Sequence, residues 1–327
     1  MLFIVCVKEN LMLTRKCSLC LLIILCALSA TAQQDKLITH FIYDKMSFNP
    51  GKTGLGLSNA ICATTIYRNQ WDKVNGAPNS AVLNIEANLS RFFPGGIGLA
   101  IYHDAIGFNR QNNVSLNYSY PIKIGNGTLG VGIGLGIINF GYSAIWVPPT
   151  TAFDASLPTD FAATNLDVNF GAYYDAGDWY AGISSTHINQ SLLKSDFNGA
   201  DVFYQTARHY YLMGGKKMKD VLGGTIDAQV LMRTDMVKFS ADINARYIYD
   251  FGNSKQGYGG LTIRTTDAIA LMFGYTPMEN LTVGYSYDLT LFNKLANISR
   301  GSHEILVKYC YVIPEIPIGS TRHPRWL

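Results

Sequence analysis

Ser302, His303 and Glu304 stand side by side and have the residue types of a hydrolytic triad. Acyl transfer by such a triad needs all three side chains converging on one spot. Neighbours in an extended strand point to opposite faces, so Ser302 and Glu304 share a face and His303 opposes them. A hydrogen-bonded cluster at the start of a strand is the simpler reading. His103-Asp104 fails for the same reason. The six histidines are scattered, and none stands at metal-ligand spacing to another His or a Cys. Gly130, Gly132, Gly134 and Gly136 fall within a strand pattern rather than a loop opening a helix, so they form no phosphate cradle. No catalytic, cofactor-binding or metal-binding residue is expected, and no cofactor.

What remains is a set of charges on alternating positions: Glu86, Asp167, Asp227, Arg233, Asp242, Arg246, Arg264, Asp288 and Glu304. Their signs are mixed, which favours paired networks over an ion-selective ring. Either a water-filled channel or a plugged one could carry them.

The elements that position these charges are strands. Charged residues make up only 15% of the 327, against about 25% in a typical soluble domain. The chain has 20 Tyr and 31 Gly, and its net charge is only +3. That balance offers no basic patch for nucleic acid and suits β-structure beside lipid. Leu83, Ile85, Ala87 and Leu89 alternate with Asn84, Glu86 and Asn88. Leu166, Val168 and Phe170 alternate with Asp167 and Asn169. Phe239, Ala241 and Ile243 alternate with Ser240 and Asp242, and Leu281, Val283 and Tyr285 with Thr282 and Gly284. The segments are long enough for tilted strands to cross a bilayer.

The pattern predicts about fourteen strands, near 54–68, 80–90, 96–106, 112–124, 128–141, 163–175, 178–188, 207–217, 222–235, 238–250, 256–265, 268–276, 280–290 and 302–313. The fold class is all-β, a transmembrane antiparallel up-and-down barrel over 54–313. An even count is what bacterial outer-membrane barrels have. The long connections, 69–79, 142–162, 189–206 and 291–301, all follow odd-numbered strands, as extracellular loops do when both termini are periplasmic. Closure leaves no unpaired backbone in hydrocarbon, with apolar residues toward lipid and polar ones toward the lumen. Trp71, Phe92, Phe93, Trp179, Tyr180, Tyr249 and Phe251 suit interfacial girdles. The alternating glycines at 130–136 either leave room for something to pack against that wall or weaken and bend the strand.

Residues 1–32 read as a signal peptide, with Arg15 and Lys16 ahead of an apolar run and Ala30 and Ala32 before a cut at Gln33; Met12 is the expected true start. Four of the six cysteines lie in this leader. Cys62 and Cys310 remain and form no metal pattern or disulfide framework. One bridge between them is open, but two buried or lipid-facing thiols are the expectation. Residues 33–53 carry Phe41, Tyr43, Met46 and Phe48, which must bury; they fold into the lumen or pack at its periplasmic mouth. Arg68, Gln70 and Trp71 sit where the first extracellular loop begins, as partner contacts or as a girdle aromatic with a bracing Arg. Arg246, Arg264 and Asp288 are further candidate lumen contacts. The Pro-rich basic tail, 314–327, carries Arg322 and Arg325, and either meets a periplasmic partner or is disordered.

Ordered motifs carry a resemblance. Tyr67-Arg68-Asn69-Gln70-Trp71 followed by Gly76-Ala77-Pro78 resembles the Tyr-Arg-x-Gln-Trp…Gly-Ala-Pro segment of the PorP/SprF family. Asn49-Pro50 is similar to the family's Asn-Pro-x-x-x-Gly, with Lys52-Thr53 where Tyr-Ala is usual. His103-Asp104-Ala105-Ile106-Gly107, Trp179-Tyr180-Ala181-Gly182, Arg208-His209-Tyr210-Tyr211, Arg264-Thr265-Thr266-Asp267, Gly284-Tyr285-Ser286-Tyr287-Asp288 and Gly301-Ser302-His303-Glu304 follow in order, and His323-Pro324-Arg325 resembles the family's ending. The resemblance implies an outer-membrane barrel of the type IX secretion system without catalytic residues. It implies a secreted cargo with a C-terminal export domain, such as a gliding adhesin, as one partner. Periplasmic and outer-membrane components of the same machine, and outer-membrane lipid, are the others. A channel or transporter for small or hydrophobic solutes is the alternative.

Overall fold

The structure is a computed structural model, and it describes residues 36–57, 59–88, 94–143, 160–197, 200–292 and 295–314. After a short 3-10 turn at Pro50–Lys52, the chain runs through β1 (Ala60–Asn69), β2 (Asn79–Asn88), β3 (Gly96–Ile106) and β4 (Asn109–Ile124). There follow β5 (Gly127–Ser143), β6 (Asp160–Asp175), β7 (Trp179–Thr186), β8 (Leu192–Phe197) and β9 (Ala200–Gln205). The second half comprises β10 (His209–Val221), β11 (Gly224–Thr234), β12 (Phe239–Gly252), β13 (Lys255–Arg264), β14 (Ala268–Met278), β15 (Leu281–Thr290) and β16 (Ser302–Val312). Fourteen of these strands close into one antiparallel barrel in sequence order, with β16 pairing back onto β1. Hairpin β8–β9 stands apart, inside the connection from β7 to β10. The fold class is as the alternation predicts.

Alternation sorts the wall. Leu166, Phe170, Ile243 and Phe273 are exposed on the outside, while Asn84, Asp167, Asn169, Asp242 and Asn244 are buried inside. Tight turns join strands at one rim. In the β10–β11 and β12–β13 connections, Leu222-Gly223 and Asn253-Ser254 all take positive φ, the backbone of a type I′ hairpin that matches the strand twist. The strands that lead into the four long connections end together at the opposite, long-loop rim, at Asn69, Ser143, Thr186 and Thr290. There Asp72 donates its backbone N–H to Gly301 and accepts from Arg300, tying two loops together.

Four expectations are corrected. The first strand begins at Ala60, not 54, because Gly54 and Gly56 turn at positive φ and the Gly54 N–H bonds Glu86 inside the barrel. The lumen is not uniformly polar: Ile66, Val82, Tyr102, Leu231, Met272 and Leu306 point in and are buried, because the space they face is filled by apolar side chains of the same chain. Two of the supposed girdle aromatics lie elsewhere. Tyr180 faces the lumen and donates its hydroxyl to Gln229 at 2.6 Å, and Trp71 is held at the long-loop rim by its indole N–H on Asp267 at 3.1 Å. Trp179, Tyr249 and Phe251 are exposed at strand ends; Phe92 and Phe93 lie outside the described residues.

The fourth correction concerns the thiols. Cys62 of β1 and Cys310 of β16 are direct cross-strand partners, with Cα atoms 4.0 Å apart, and they form a disulfide. Spacing in sequence could not reveal this, because the two are neighbours only once the barrel closes. The bridge spans 248 residues and staples the seam where the first and last strands meet. Closing so long a loop contributes on the order of 2–5 kcal/mol in the chain-entropy account. Cys62→Ser together with Cys310→Ser is therefore expected to lower the heat needed to shift the folded band on a semi-native gel. A reductant should lower the wild-type midpoint to the same value and leave the variant's unchanged.

Candidate functional site

The lumen is occupied by residues 36–57, whose path is set by pairs with the wall. The strands run so that Arg233 on β11, Arg264 on β13, Arg68 on β1, Asp242 on β12, Asp288 on β15 and Glu304 on β16 lie in one layer near the long-loop rim. All six point inward and are buried. Arg68 faces Asp288 at 2.8 Å and Glu304 at 3.2 Å. Arg264 bridges Asp242 at 3.1 Å and Asp288 at 3.2 Å. Arg233 closes the row on Asp242.

Into this ring comes the start of the segment. The Thr39 hydroxyl donates to Asp288 at 2.9 Å and accepts from Arg68 at 3.0 Å. The backbone N–H groups of Thr39 and His40 donate to the two Glu304 oxygens at 2.9 and 2.7 Å, and His40 Nδ1 lies 2.7 Å from the same carboxylate. Arg233 donates to the Lys36 carbonyl at 2.8 Å. A buried charge is tolerated when paired and hydrogen-bonded, and here the pairing is completed by the segment's own backbone.

Deeper in, the segment turns. The Asn49 side chain accepts from the Gly51 N–H at 2.9 Å and donates to the Ala172 carbonyl at 3.0 Å, so one amide both caps the turn and pins it to β6. Ser184 donates to the Phe48 carbonyl at 2.6 Å and Ser119 to that of Gly51 at 2.8 Å. Asn84 donates to Asp44 and to Ser47. Here the glycine wall has its use. A Cβ on Gly51 would stand 2.7 Å from the Gly130 carbonyl oxygen, and one on Gly132 would run into the Pro50 carbonyl. Gly134 and Gly136 face wall atoms of β4 instead, so only half of the stripe receives the segment.

Ile38, Phe41, Ile42, Phe48 and Leu55 pack with the inward apolar residues of the wall into one core. Each such burial stabilises by roughly 1.5–3 kcal/mol. Tyr43 lies against Tyr258, and Arg246, paired with Asp227 at 2.7 Å, sits 4.8 Å from the Tyr43 ring. Burial pushes the Asp44 carboxyl up to about 7 and the Lys45 amine down to about 7. The chain leaves the lumen at the short-turn rim, where Asn88 donates to the Leu57 carbonyl at 2.8 Å. The first described residues thus lie near the long-loop rim, at the other end of the lumen from the start of β1.

Of the site residues that sequence singles out, Arg68, Arg264 and Asp288 meet in the upper ring, and Arg246 belongs to a second pair below it. Gln70 is buried beside the ring, and the Trp71 N–H donates to Ser302 at 3.0 Å. Arg322 and Arg325 lie outside the described residues. Ser302 and Glu304 point inward and His303 outward, where it meets the Tyr285 hydroxyl at 2.7 Å. Thr39 and His40 escape sequence reasoning, since nothing local marks them as the partners of acids some 250 residues away. A second inward dyad, His187 on Asp167 at 2.7 Å, was equally hidden.

Residues 30–309 match the family described as type IX secretion system membrane protein PorP/SprF. The chain belongs to that family. The match spans the whole described lumenal segment and all of the barrel but the last three residues of β16, and the protein is accordingly an outer-membrane β-barrel of type IX secretion. No curated protein matches the chain. Among solved structures, the toluene transporter TbuX of Ralstonia pickettii superposes with a TM-score of 0.52 at 11% identity, over 82% of this chain and 93% of that one. The CymD monoaromatic hydrocarbon channel gives 0.49 at 10% identity, over 83% and 93%. At such identities the likeness to TbuX is one of fold alone.

Two substitutions test the seat of the segment. Arg68→Met leaves Glu304 with the Thr39 N–H and His40 but no arginine, while Arg264 still faces Asp288. A loss of about 3 kcal/mol is expected in urea unfolding, the lower part of the range for breaking a buried pair. Gly132→Val should unseat the turn at Pro50 and open Lys45 and Lys52 to trypsin, whereas Gly259→Ala, whose Cβ meets open space, should leave the digestion pattern as in wild type.

Proposed function

We propose that this barrel is a non-enzymatic outer-membrane component of the type IX secretion system that supports secretion or surface attachment of one specific cargo, such as a gliding adhesin with a C-terminal export domain. Family membership supplies the machine. The observation that supports the finer reading is the filled lumen: among the described residues, the chain's own segment 36–57 runs through the lumen, packs against its apolar wall and hydrogen-bonds the inward charges near the long-loop rim. Such a barrel serves export by what it holds at its rims. By the rule for bacterial barrels the short-turn rim faces the periplasm and the long loops face outward. On that placement the tail at 314–327, with Arg322 and Arg325, meets the periplasmic components.

The long-loop rim has the build of a docking platform for cargo. Strands β5 and β6, of 17 and 16 residues, are the longest barrel strands with β4. Near their rim ends Ile138, Phe140 and Phe161 pack with Leu193 of β8, and Phe140 stacks on Tyr204 of β9 at 3.8 Å. This buried apolar brace holds the hairpin in place. The charges of the upper ring, Arg68, Asp288 and Glu304 among them, are paired with one another and with the segment, which supports a non-catalytic role. The reading as a solute channel draws nothing from such a lumen.

A strain lacking this protein is expected to lose one large protein from its surface, or release it to the medium, while other type IX substrates stay in place. That protein should co-purify with the tagged barrel from detergent extract. An unchanged surface proteome with no co-purifying substrate would overturn the proposal.

A further inference from the structure

Below the lumenal segment, at the short-turn mouth, lies an open cleft of about 270 Å³. Five lysines line it: Lys45 and Lys52 from the segment, Lys216 and Lys217 from β10, and Lys308 from β16. They come from three separate parts of the chain that only closure brings together.

The acids of the cleft do not balance them. Asp227 is taken by Arg246 at 2.7 Å and Asp178 by Lys219 at 2.7 Å. Asp175 accepts the Gly177 N–H at 2.8 Å and keeps its charge, but among the described residues it stands within ion-pair distance of none of the five. Among the described residues, Lys52 alone of the five has an acid within ion-pair distance, Glu86 at 3.5 Å. Among the described residues no carboxylate lies within ion-pair distance of Lys45, Lys216, Lys217 or Lys308. Lys45 rests 3.7 Å over the Tyr180 ring instead. Its amine is pushed down by burial and by the neighbouring cations Lys52, Arg246 and Lys217, against the opposing pull of Asp227. Unpaired like charges in a concavity with low-dielectric walls focus a positive potential at the opening.

We propose that this cleft is an anion-binding site that takes an Asp/Glu-rich segment of a periplasmic polypeptide. Two features of the cleft choose that occupant. Lys45, Lys52, Lys217 and Lys308 sit inside the barrel wall, so membrane headgroups, which lie outside it, do not reach them; a soluble chain entering the mouth does. The cations are single ammonium groups dispersed over the segment and two strands, with no Arg fork to clamp one compact oxyanion. Several carboxylates spaced along a peptide match that dispersion. The site lies at the opposite end of the barrel from the long-loop rim and stands independently of the cargo reading. It rests only on the short-turn rim facing the periplasm.

The test is fluorescence anisotropy of labelled hexaglutamate with the full-length protein in detergent micelles at low salt. The proposal expects saturable binding that weakens as salt rises, no binding of hexalysine, and no displacement by inorganic phosphate at matched charge. The double variant Lys216→Gln and Lys217→Gln changes side chains at the open mouth and should bind about tenfold more weakly, with unchanged heat stability. Absence of hexaglutamate binding, equal binding by the variant, or displacement by inorganic phosphate, which marks an adventitious ion only, would each overturn it. Because the readout contains no cargo, a failed surface-proteome experiment leaves this result intact.

Discussion

The upper half of this barrel depends on one constraint: charges fully buried on the inner face of a closed wall must find partners there. Arg68, Arg264 and Arg233 and the acids Asp242, Asp288 and Glu304 come from six strands, yet they form a continuous row. The row is incomplete without the N-terminal segment. Thr39 and His40 supply backbone N–H groups that Glu304 needs. A buried carboxylate stripped of such donors is costly, so the wall and the segment specify each other. The segment is for this reason an integral part of the fold rather than a strap laid across its mouth.

A second constraint follows from closure. The seam between β1 and β16 joins the ends of the barrel chain, and any opening of the wall would have to part some pair of strands. Cys62 and Cys310 sit opposite each other at that seam and lock it. Apolar packing of Phe41 and Phe48 against the wall, the glycine seat at Gly130 and Gly132, and the ion-pair row then act on the same object. Losing one leaves the others in place, which is why partial unseating rather than collapse is the expected result of a single change in the socket.

Much of the wall was legible in the sequence, because period-2 alternation and loop parity are local signals. Strands β3, β12 and β13 fall within a residue or two of where alternation puts them. The N-terminal edge was not. Gly54 and Gly56 read as the start of a strand, yet they turn the chain at the lumen exit, and only the placement of Glu86 on β2 explains it. The inward Leu306 and Met272 broke the polar-lumen expectation because hydrophobicity alone does not tell lipid from a packed plug. Gly130 and Gly132 could be read as leaving room, but not for what. The disulfide was illegible for a related reason: sequence distance carries no information about which strands closure makes neighbours. Arg68 and Asp288 were recognisable as inward charges, whereas their bond to Thr39 depends on where an irregular segment comes to rest.

Conductance in planar bilayers measures the central claim, that the chain's own N-terminal segment fills the lumen. The full-length barrel should show no sustained open state, and the same barrel lacking residues 33–50 should show discrete, long-lived conductance steps. Equal conductance in the two, open or closed, would contradict the account.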